Sequence, residues 1–190
     1  MRGILEIEDA IGWKARIVGG GGGPDAVGMR KILQSALLVA VVVVCVPAVA
    51  QAADRSAYRS STESRVLVLL NDIRHEHGLS KLRSSVALRS AAREHSSDML
   101  KRGYFEHNAP NESFDKRIRR YLKSPLVGEN IAWGTGSYGT PEGIVKMWMH
   151  SPSHRHVILM PSLHRVGLGV AVGTFDGAPG AVMTTADFSS

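Results

Sequence analysis

The sequence predicts an α+β domain in which helices come first along the chain and strands come last. Two stretches, Val66–His77 and Leu88–Met99, carry apolar residues at helical spacing. Near the end, residues 166–172 alternate between bulky and small side chains, with the period of two that is typical of a strand. Helices followed by strands favour a small sheet that is covered by helices.

The first 52 residues are expected to lie outside this domain. Residues 29–52 have the pattern of a secretory signal peptide: a short basic start, an apolar run, and alternating small residues that predict cleavage after Ala50 or Ala52. The apolar run Ala36–Ala50 is shorter than the ~20 residues that span a bilayer, which favours cleavage over an uncleaved anchor. Residues 1–28 are interpreted as a spurious or disordered extension upstream of a start at Met29.

The residues after the signal suit one exported domain, with a polar lead-in over 53–61 and the folded part over 62–190. Cys45 lies in the signal, so the mature chain is free of disulfides and has no thiol chemistry. It carries 18 Lys and Arg against 13 Asp and Glu, a net charge of +5. This excess favours anionic surfaces such as cell-wall polymers or lipid headgroups. Nucleic acid is excluded because the charges are dispersed and lack a recognition motif.

Helix boundaries can be read from capping residues. Gly78 is expected to end the first helix, while Ser84 or Ser85 caps a second helix that ends at Gly103. His95 falls on the apolar face of this second helix. It is interpreted as a hydrogen-bonded core histidine rather than a ligand, because buried polar groups usually have partners.

A short third helix is predicted after residue 113. Its apolar side comprises Phe114, Ile118, Tyr121 and Leu122. The other side is basic and is interpreted as a solvated face that could also meet an anionic partner: Lys116, Arg117, Arg119 and Arg120.

The next helix begins at Thr140-Pro141-Glu142, which supplies a cap, a proline at the first position and an acid in the first turn. Its core-facing residues are Ile144, Val145, Trp148 and Met149. Another helix is predicted over 155–160. A strand then follows, with glycine and alanine at 167–173 leaving one face bare, which suggests close approach by a helix. A turn leads to a second strand over 181–188.

Three ionisable groups stand out at element boundaries: His107, Glu129 and His154. A fold that brings them together makes a site with two imidazoles and one carboxylate, the ligand set of an open zinc site. Two alternatives stay open. The groups form a structural polar network, or His154 and Glu129 activate Ser151 or Ser153, although no Gly-x-Ser-x-Gly elbow is present.

Five motifs in order carry a family resemblance: Gly103–His107, Gly128–Ala132, Trp148–Arg155, Val166–Val170 and Thr185–Phe188. From about Thr62 onward the chain resembles the bacterial SCP-like branch of the CAP superfamily (cysteine-rich secretory proteins, antigen 5, pathogenesis-related 1). The resemblance implies a three-layer α-β-α sandwich with a small, mainly antiparallel sheet. It also implies secretion, to the cell exterior or periplasm, and a central cleft.

The cleft of this family usually holds two histidines and two acidic residues. His107 and His154 match the histidines and Glu129 matches the first acid, but Ser151 stands where the second acid is expected. Glu142 lies too far along its helix to replace it. If Zn²⁺ or another divalent metal binds His107, His154 and Glu129, binding is therefore expected to be weak, and Ser151→Glu should tighten it.

The expected function is that of a secreted, monomeric domain with a binding or interaction role at the cell surface or wall. Two alternatives follow from the resemblance and the candidate residues. One is a lipid- or sterol-binding module, and the other is a metal-dependent hydrolase of peptide or cell-wall material.

Overall fold

The computed structural model describes residues 48–190, so the 1–28 extension and all but the end of the expected signal peptide lie outside the described residues. The elements are α1 Ala48–Glu76, β1 Arg83–Ser84, α2 Val86–Arg102, α3 Phe114–Tyr121, β2 Val127–Gly134, α4 Pro141–His150, α5 Pro152–Ile158, β3 Arg165–Phe175 and β4 Ala178–Ser189. A 3₁₀ turn, Gly136–Gly139, connects β2 to α4.

The four strands form one sheet in the order β1-β3-β4-β2. β4 runs antiparallel to both of its neighbours, and only the two-residue β1 pairs in parallel, with β3. The main core lies between the sheet and α1, α4 and α5, while α2 and α3 cover the opposite face. The α-β-α sandwich with a small, mainly antiparallel sheet is thus confirmed.

Two boundaries differ from the sequence-based expectations. Residues 53–61, expected to be a loose lead-in, belong to the long helix α1, although most of their side chains are exposed. The Gly128–Ala132 motif lies in strand β2, which was not predicted from the sequence. A strand with one solvent-facing side alternates polar and apolar residues, but in β2 the polar residues are buried as well as the apolar ones. None of the helices within residues 48–190 is long and apolar enough to cross a bilayer.

The boundaries of α2 are as predicted. The Ser85 hydroxyl accepts a hydrogen bond from the Leu88 amide at 3.3 Å, and Gly103 ends the helix in the left-handed conformation with φ of 71°. The buried face includes Leu88 and Met99, and also His95.

The bare face of β3 meets α2, as the alternation predicted. A Cβ added at Gly167 would lie 2.0 Å from the Arg89 nitrogen, and one at Gly169 would lie 2.2 Å from the Ala92 carbonyl carbon. Both distances are to helix backbone, so no side-chain rotation could relieve them. Glycine is therefore required for α2 to pack this closely on the sheet.

Candidate functional site

His107 and Glu129 form the centre of the site. Glu129 points from β2 toward the α3 side of the sheet, and its side chain is 1% exposed. The His107 Nδ1–H donates to Glu129 Oε1 at 2.8 Å, whereas the imidazole itself remains 35% exposed. The carboxylate thereby fixes the tautomer and the orientation of a ring that solvent can reach.

Arg117 anchors the other side of the same carboxylate. Its Nη2 donates to Glu129 Oε2, and its Nη1 donates to the His107 carbonyl oxygen at 3.1 Å. The expectation of a solvated face is therefore wrong for Arg117, which is buried together with Phe114 and Ile118. These three residues follow the i, i+3, i+4 spacing of a single helix face, and that spacing was the available sequence signal.

Asp187 is a buried member of the site that sequence reasoning missed as a functional residue. It pairs in register with Glu129 on the neighbouring strand β4, and its Oδ1 lies 3.6 Å from Arg117 Nη2. Neither carboxyl oxygen makes a hydrogen bond within the described part of the chain. Burial, reinforced by the nearby Glu129 charge, raises the pKa of Asp187 well above its ordinary value.

His95 is buried and hydrogen-bonded, as predicted, but it also borders the site. Its Nε2–H donates to the Glu106 carbonyl oxygen at 3.0 Å, and the same nitrogen lies 3.8 Å from Glu129 Oε2. Burial lowers the pKa of His95, although the Glu129 charge acts in the opposite direction. A neutral His95 therefore packs beside the carboxylate without neutralising it.

The electrostatics of the site hold Glu129 ionised. Burial alone would raise its pKa, but Arg117 and the hydrogen bond from His107 outweigh it and lower the pKa to about 2. Burial would likewise lower the pKa of His107, yet the hydrogen bond and charge of Glu129 raise it overall. Glu129 is thus a fixed negative charge. His107 is the partly exposed group that can gain or lose a proton.

His154 and Ser151 form a second pair. His154 Nδ1 lies 2.7 Å from the Ser151 hydroxyl at the start of α5. The Glu129 side chain lies on one face of β2, and α5 packs against the opposite face. On that opposite face the Asn130 amide donates to the His154 carbonyl oxygen at 3.1 Å. Neighbouring residues of a strand point to opposite faces, so the Glu129 and Asn130 side chains project to opposite sides of β2.

The zinc site considered from the sequence needs ligand atoms of His107, Glu129 and His154 to meet. No group of three or more His, Cys, Asp or Glu side chains in this region is placed to hold a metal ion. Both oxygens of Glu129 already accept hydrogen bonds, from His107 and Arg117. A zinc site formed by His107, Glu129 and His154 therefore stays a prediction, and it would require Glu129 to give up one of these hydrogen bonds.

A zinc titration tests whether Glu129 gives up a hydrogen bond to bind a metal ion. Because Glu129 is committed to Arg117, calorimetry should give the same weak affinity for the wild-type protein, His107→Ala and Ser151→Glu. His150→Ala, which changes an exposed histidine of α4, is the matched control. Weaker binding by His107→Ala together with tighter binding by Ser151→Glu would restore the metal site.

A polar pocket of about 230 Å³ lies next to the network, between α2 and the residues that precede α3. His95 and Arg117 contribute to its lining from the buried side, and Glu94, Asp98, Arg102 and Glu112 supply charged groups around them. Space for a small polar molecule is therefore present beside the network.

The comparisons with known proteins agree with this fold. The model of the cysteine-rich secretory protein family, CAP, matches residues 67–188. The uncharacterized protein YkwD of Bacillus subtilis is 38% identical over 112 residues, which are 58% of this chain and 42% of YkwD. The uncharacterized membrane protein YlbC of the same organism is 31% identical over 114 residues, or 59% of this chain and 32% of YlbC. The chain thus spans less than half the length of these relatives.

Solved structures give the same result. An extracellular protein containing a SCP domain from Bacillus anthracis superposes with a TM-score of 0.61 and 27% identity, covering 72% of this chain and 43% of that protein. An outer surface protein of Borrelia burgdorferi shares the fold, with a TM-score of 0.56, 20% identity, and coverage of 64% of this chain and 86% of that protein. The resemblance noted from the sequence motifs is confirmed, and this chain belongs to the CAP, or cysteine-rich secretory protein, family.

Proposed function

We propose that this CAP domain is a binding module that works outside the cytoplasm, at the cell surface or wall, and that His107 is its ligand-contacting residue. The compartment is supported by the similar solved structures, which include an extracellular and an outer surface protein. The binding role is supported by the arrangement of charges around Glu129.

The observation that carries the proposal is that the two opposite charges at the centre of the network are committed to each other. Arg117 and Glu129 pair with each other below the surface, and His95 packs beside them. The part of this network that solvent reaches is the His107 ring, whose Nδ1 is held by Glu129. A ligand therefore meets the Nε2 edge of an oriented imidazole.

The protonation of His107 indicates what the ligand offers. Its raised pKa favours the imidazolium form, in which Nε2–H is a donor. The complementary group on the ligand is an oxygen acceptor, such as a hydroxyl, carboxylate or phosphate. A general-base role for Glu129 is disfavoured because its pKa of about 2 is far below neutral pH.

One observation favours hydrolysis as a second candidate. The Ser151 hydroxyl lies 2.7 Å from His154 Nδ1, which is the distance needed between a serine nucleophile and its base. A lipid- or sterol-binding module is a third reading, suggested by the resemblance. These alternatives make different predictions for variants of His107 and Ser151.

A ligand screen by thermal shift, followed by calorimetry of any hit, tests the proposal. Binding should weaken roughly tenfold or more in His107→Ala, since a charge-assisted hydrogen bond is worth about 1.5–3 kcal/mol. His150→Ala should bind like the wild type. Turnover of an ester or peptide that is lost in Ser151→Ala but kept in His107→Ala would support the hydrolase instead.

The pH dependence of binding provides a further readout. His107 has a raised pKa, so its charge is fully present below the ordinary value near 6.5 and is lost as pH rises through the folded-state pKa. Affinity should therefore fall with rising pH across that range in the wild type. A hit whose affinity does not change with pH, and that binds His107→Ala normally, would contradict a role for His107.

A further inference from the structure

The polar pocket beside the network is walled by residues of α2, α3 and the loop between them. Glu94, Asp98 and Arg102 follow one another at intervals of four residues, so they share one face of α2. Residues of the 109–112 loop and Arg117 of α3 complete the wall. A cavity of roughly 150 Å³ holds one benzene molecule. The volume of this pocket, about 230 Å³, therefore accommodates one six-membered ring.

Two buried side chains of the pocket wall keep a polar atom without a partner. His95 and Arg117 lie side by side, because His95 Nε2 is 3.8 Å from Glu129 Oε2 and Arg117 Nη2 donates to the same oxygen. Their side chains are 0% and 2% exposed. Within residues 48–190, nothing bonds to His95 Nδ1 or to Arg117 Nε. Buried polar groups are almost always paired, so these two atoms point to a bound polar group.

The chemistry of these two atoms defines the group that would satisfy them. His95 Nε2 carries the proton, because its partner, the Glu106 carbonyl oxygen, can only accept. Burial lowers the pKa of His95 and keeps the ring neutral, so Nδ1 is an acceptor. Arg117 Nε–H is a donor. A hydroxyl serves both atoms, whereas a carboxylate cannot donate and an ammonium cannot accept.

Asp98 offers a third hydrogen-bonding position in the pocket. Its Oδ2 accepts from the Tyr104 hydroxyl at 2.6 Å and from Arg102 Nη1 at 3.4 Å. In the described part of the chain no donor reaches its Oδ1, and the side chain is 31% exposed. Asp98 can therefore accept a charge-assisted hydrogen bond from a second hydroxyl.

The remaining groups disfavour two other classes of ligand. Three carboxylates, of Glu94, Asp98 and Glu112, surround the pocket, against the guanidinium groups of Arg102 and of Arg120, which pairs with Glu94 and Glu112. This excess of negative charge disfavours an acidic ligand. Among the described residues that line the pocket, the only apolar one is an alanine. A lipid or sterol would gain little there, since its binding depends on burying apolar surface.

We propose that this pocket binds a neutral sugar ring through its hydroxyl groups, with His95, Asp98 and Arg117 as the contacting residues. A sugar carries several hydroxyls around one six-membered ring, and each of them can both donate and accept. Neutral hydroxyls are not repelled by the surrounding carboxylates. The site goes beyond the proposed binding role of His107, whose ring does not line this pocket.

A titration of the isotopically labelled full chain with N-acetylglucosamine, followed by NMR, tests the sugar site. Amide signals of residues 94–98 and 109–112 should shift as the sugar is added to the wild type. Asp98→Ala should bind at least roughly tenfold more weakly, because a hydrogen bond to a charged acceptor is lost. Asp115→Ala is the matched control: Asp115 also accepts from a hydroxyl and pairs with an arginine four residues later, but it does not line the pocket.

Two more variants separate the pocket from loss of charge and from the His107 site. Ala109→Phe removes no charge, but its larger side chain should fill the pocket and weaken sugar binding by a similar factor. Its melting temperature should stay near that of the wild type, since Ala109 is only half-buried in a loop. His107→Ala should bind the sugar like the wild type.

Three results would overturn the sugar site. If N-acetylglucosamine shifts no signal of the pocket, ordered water alone satisfies the buried atoms. Binding that survives both Asp98→Ala and Ala109→Phe would place the sugar elsewhere on the domain. Tighter binding of glucuronic acid than of N-acetylglucosamine would identify an anion site instead.

Discussion

Replacing Arg117 with methionine should destabilise the domain by about 3–5 kcal/mol, the usual effect of removing one partner from a buried ion pair. Methionine keeps most of the volume but removes the buried cation of Glu129, which is then left beside Asp187 with only the half-exposed His107 imidazole still donating to it. Urea unfolding followed by far-UV circular dichroism would measure the change. Arg119→Met is the control: it sits on the same helix, but its pair with Asp115 is partly exposed, so a change below about 1 kcal/mol is expected.

The pH dependence of the unfolding free energy shows whether the Glu129 charge causes the loss of stability in Arg117→Met. The folded-state pKa of Glu129 is depressed to about 2, so its contribution is present above its ordinary value near 4.5 and is lost as pH falls toward 2. Arg117→Met should lose most of this dependence. Adding Glu129→Gln to Arg117→Met should recover part of the stability, because the unpaired charge is gone. No recovery would mean that packing, rather than charge, explains the loss.

Replacing Trp148 with alanine should also cost about 3–5 kcal/mol, the range for deleting a large aromatic residue from a core. Trp148 is 1% exposed in the main core between the sheet and α4, and its Nε1–H donates to the Ile131 carbonyl oxygen at 3.1 Å. Domains of this size have roughly 5–15 kcal/mol in total, and residues 48–190 contain no cysteine that could form a disulfide, so this loss is a large part of the stability.

Trp148→Phe separates the two contributions of this residue. It keeps an aromatic ring in the core but removes the hydrogen bond to β2, so it should cost less than the alanine variant. Denaturant midpoints of the wild type and both variants provide the measurement. Equal midpoints for all three would contradict the buried position of the indole.

The sequence predicted best what depends on local pattern. The apolar stripe and capping residues of α2 specified its face and its ends, since both follow from contacts three or four residues apart. The glycine positions of β3 predicted a helix on its bare face, because only glycine leaves room for a neighbouring backbone. His95 was correctly placed inside for the same reason: its position in the stripe determines its direction.

The parts that could not be predicted depend on pairing between distant segments. Asp187 joins the site only because β4 pairs with β2 in a register that sets it opposite Glu129. The burial of Arg117 depends on what α3 packs against, since a charged side chain is usually solvated unless a partner is supplied.

The position of β4 has a consequence for how the domain folds. β4 is the last strand along the chain, yet it lies between β3 and β2 and holds them together. β2 has no strand partner until β4 has been synthesised, and β1 has no partner until β3 has been synthesised. Sheets built from such distant pairings fold slowly, because the loops must close before the contacts form. The sheet would therefore stay open during synthesis and be completed only after β4 has been made.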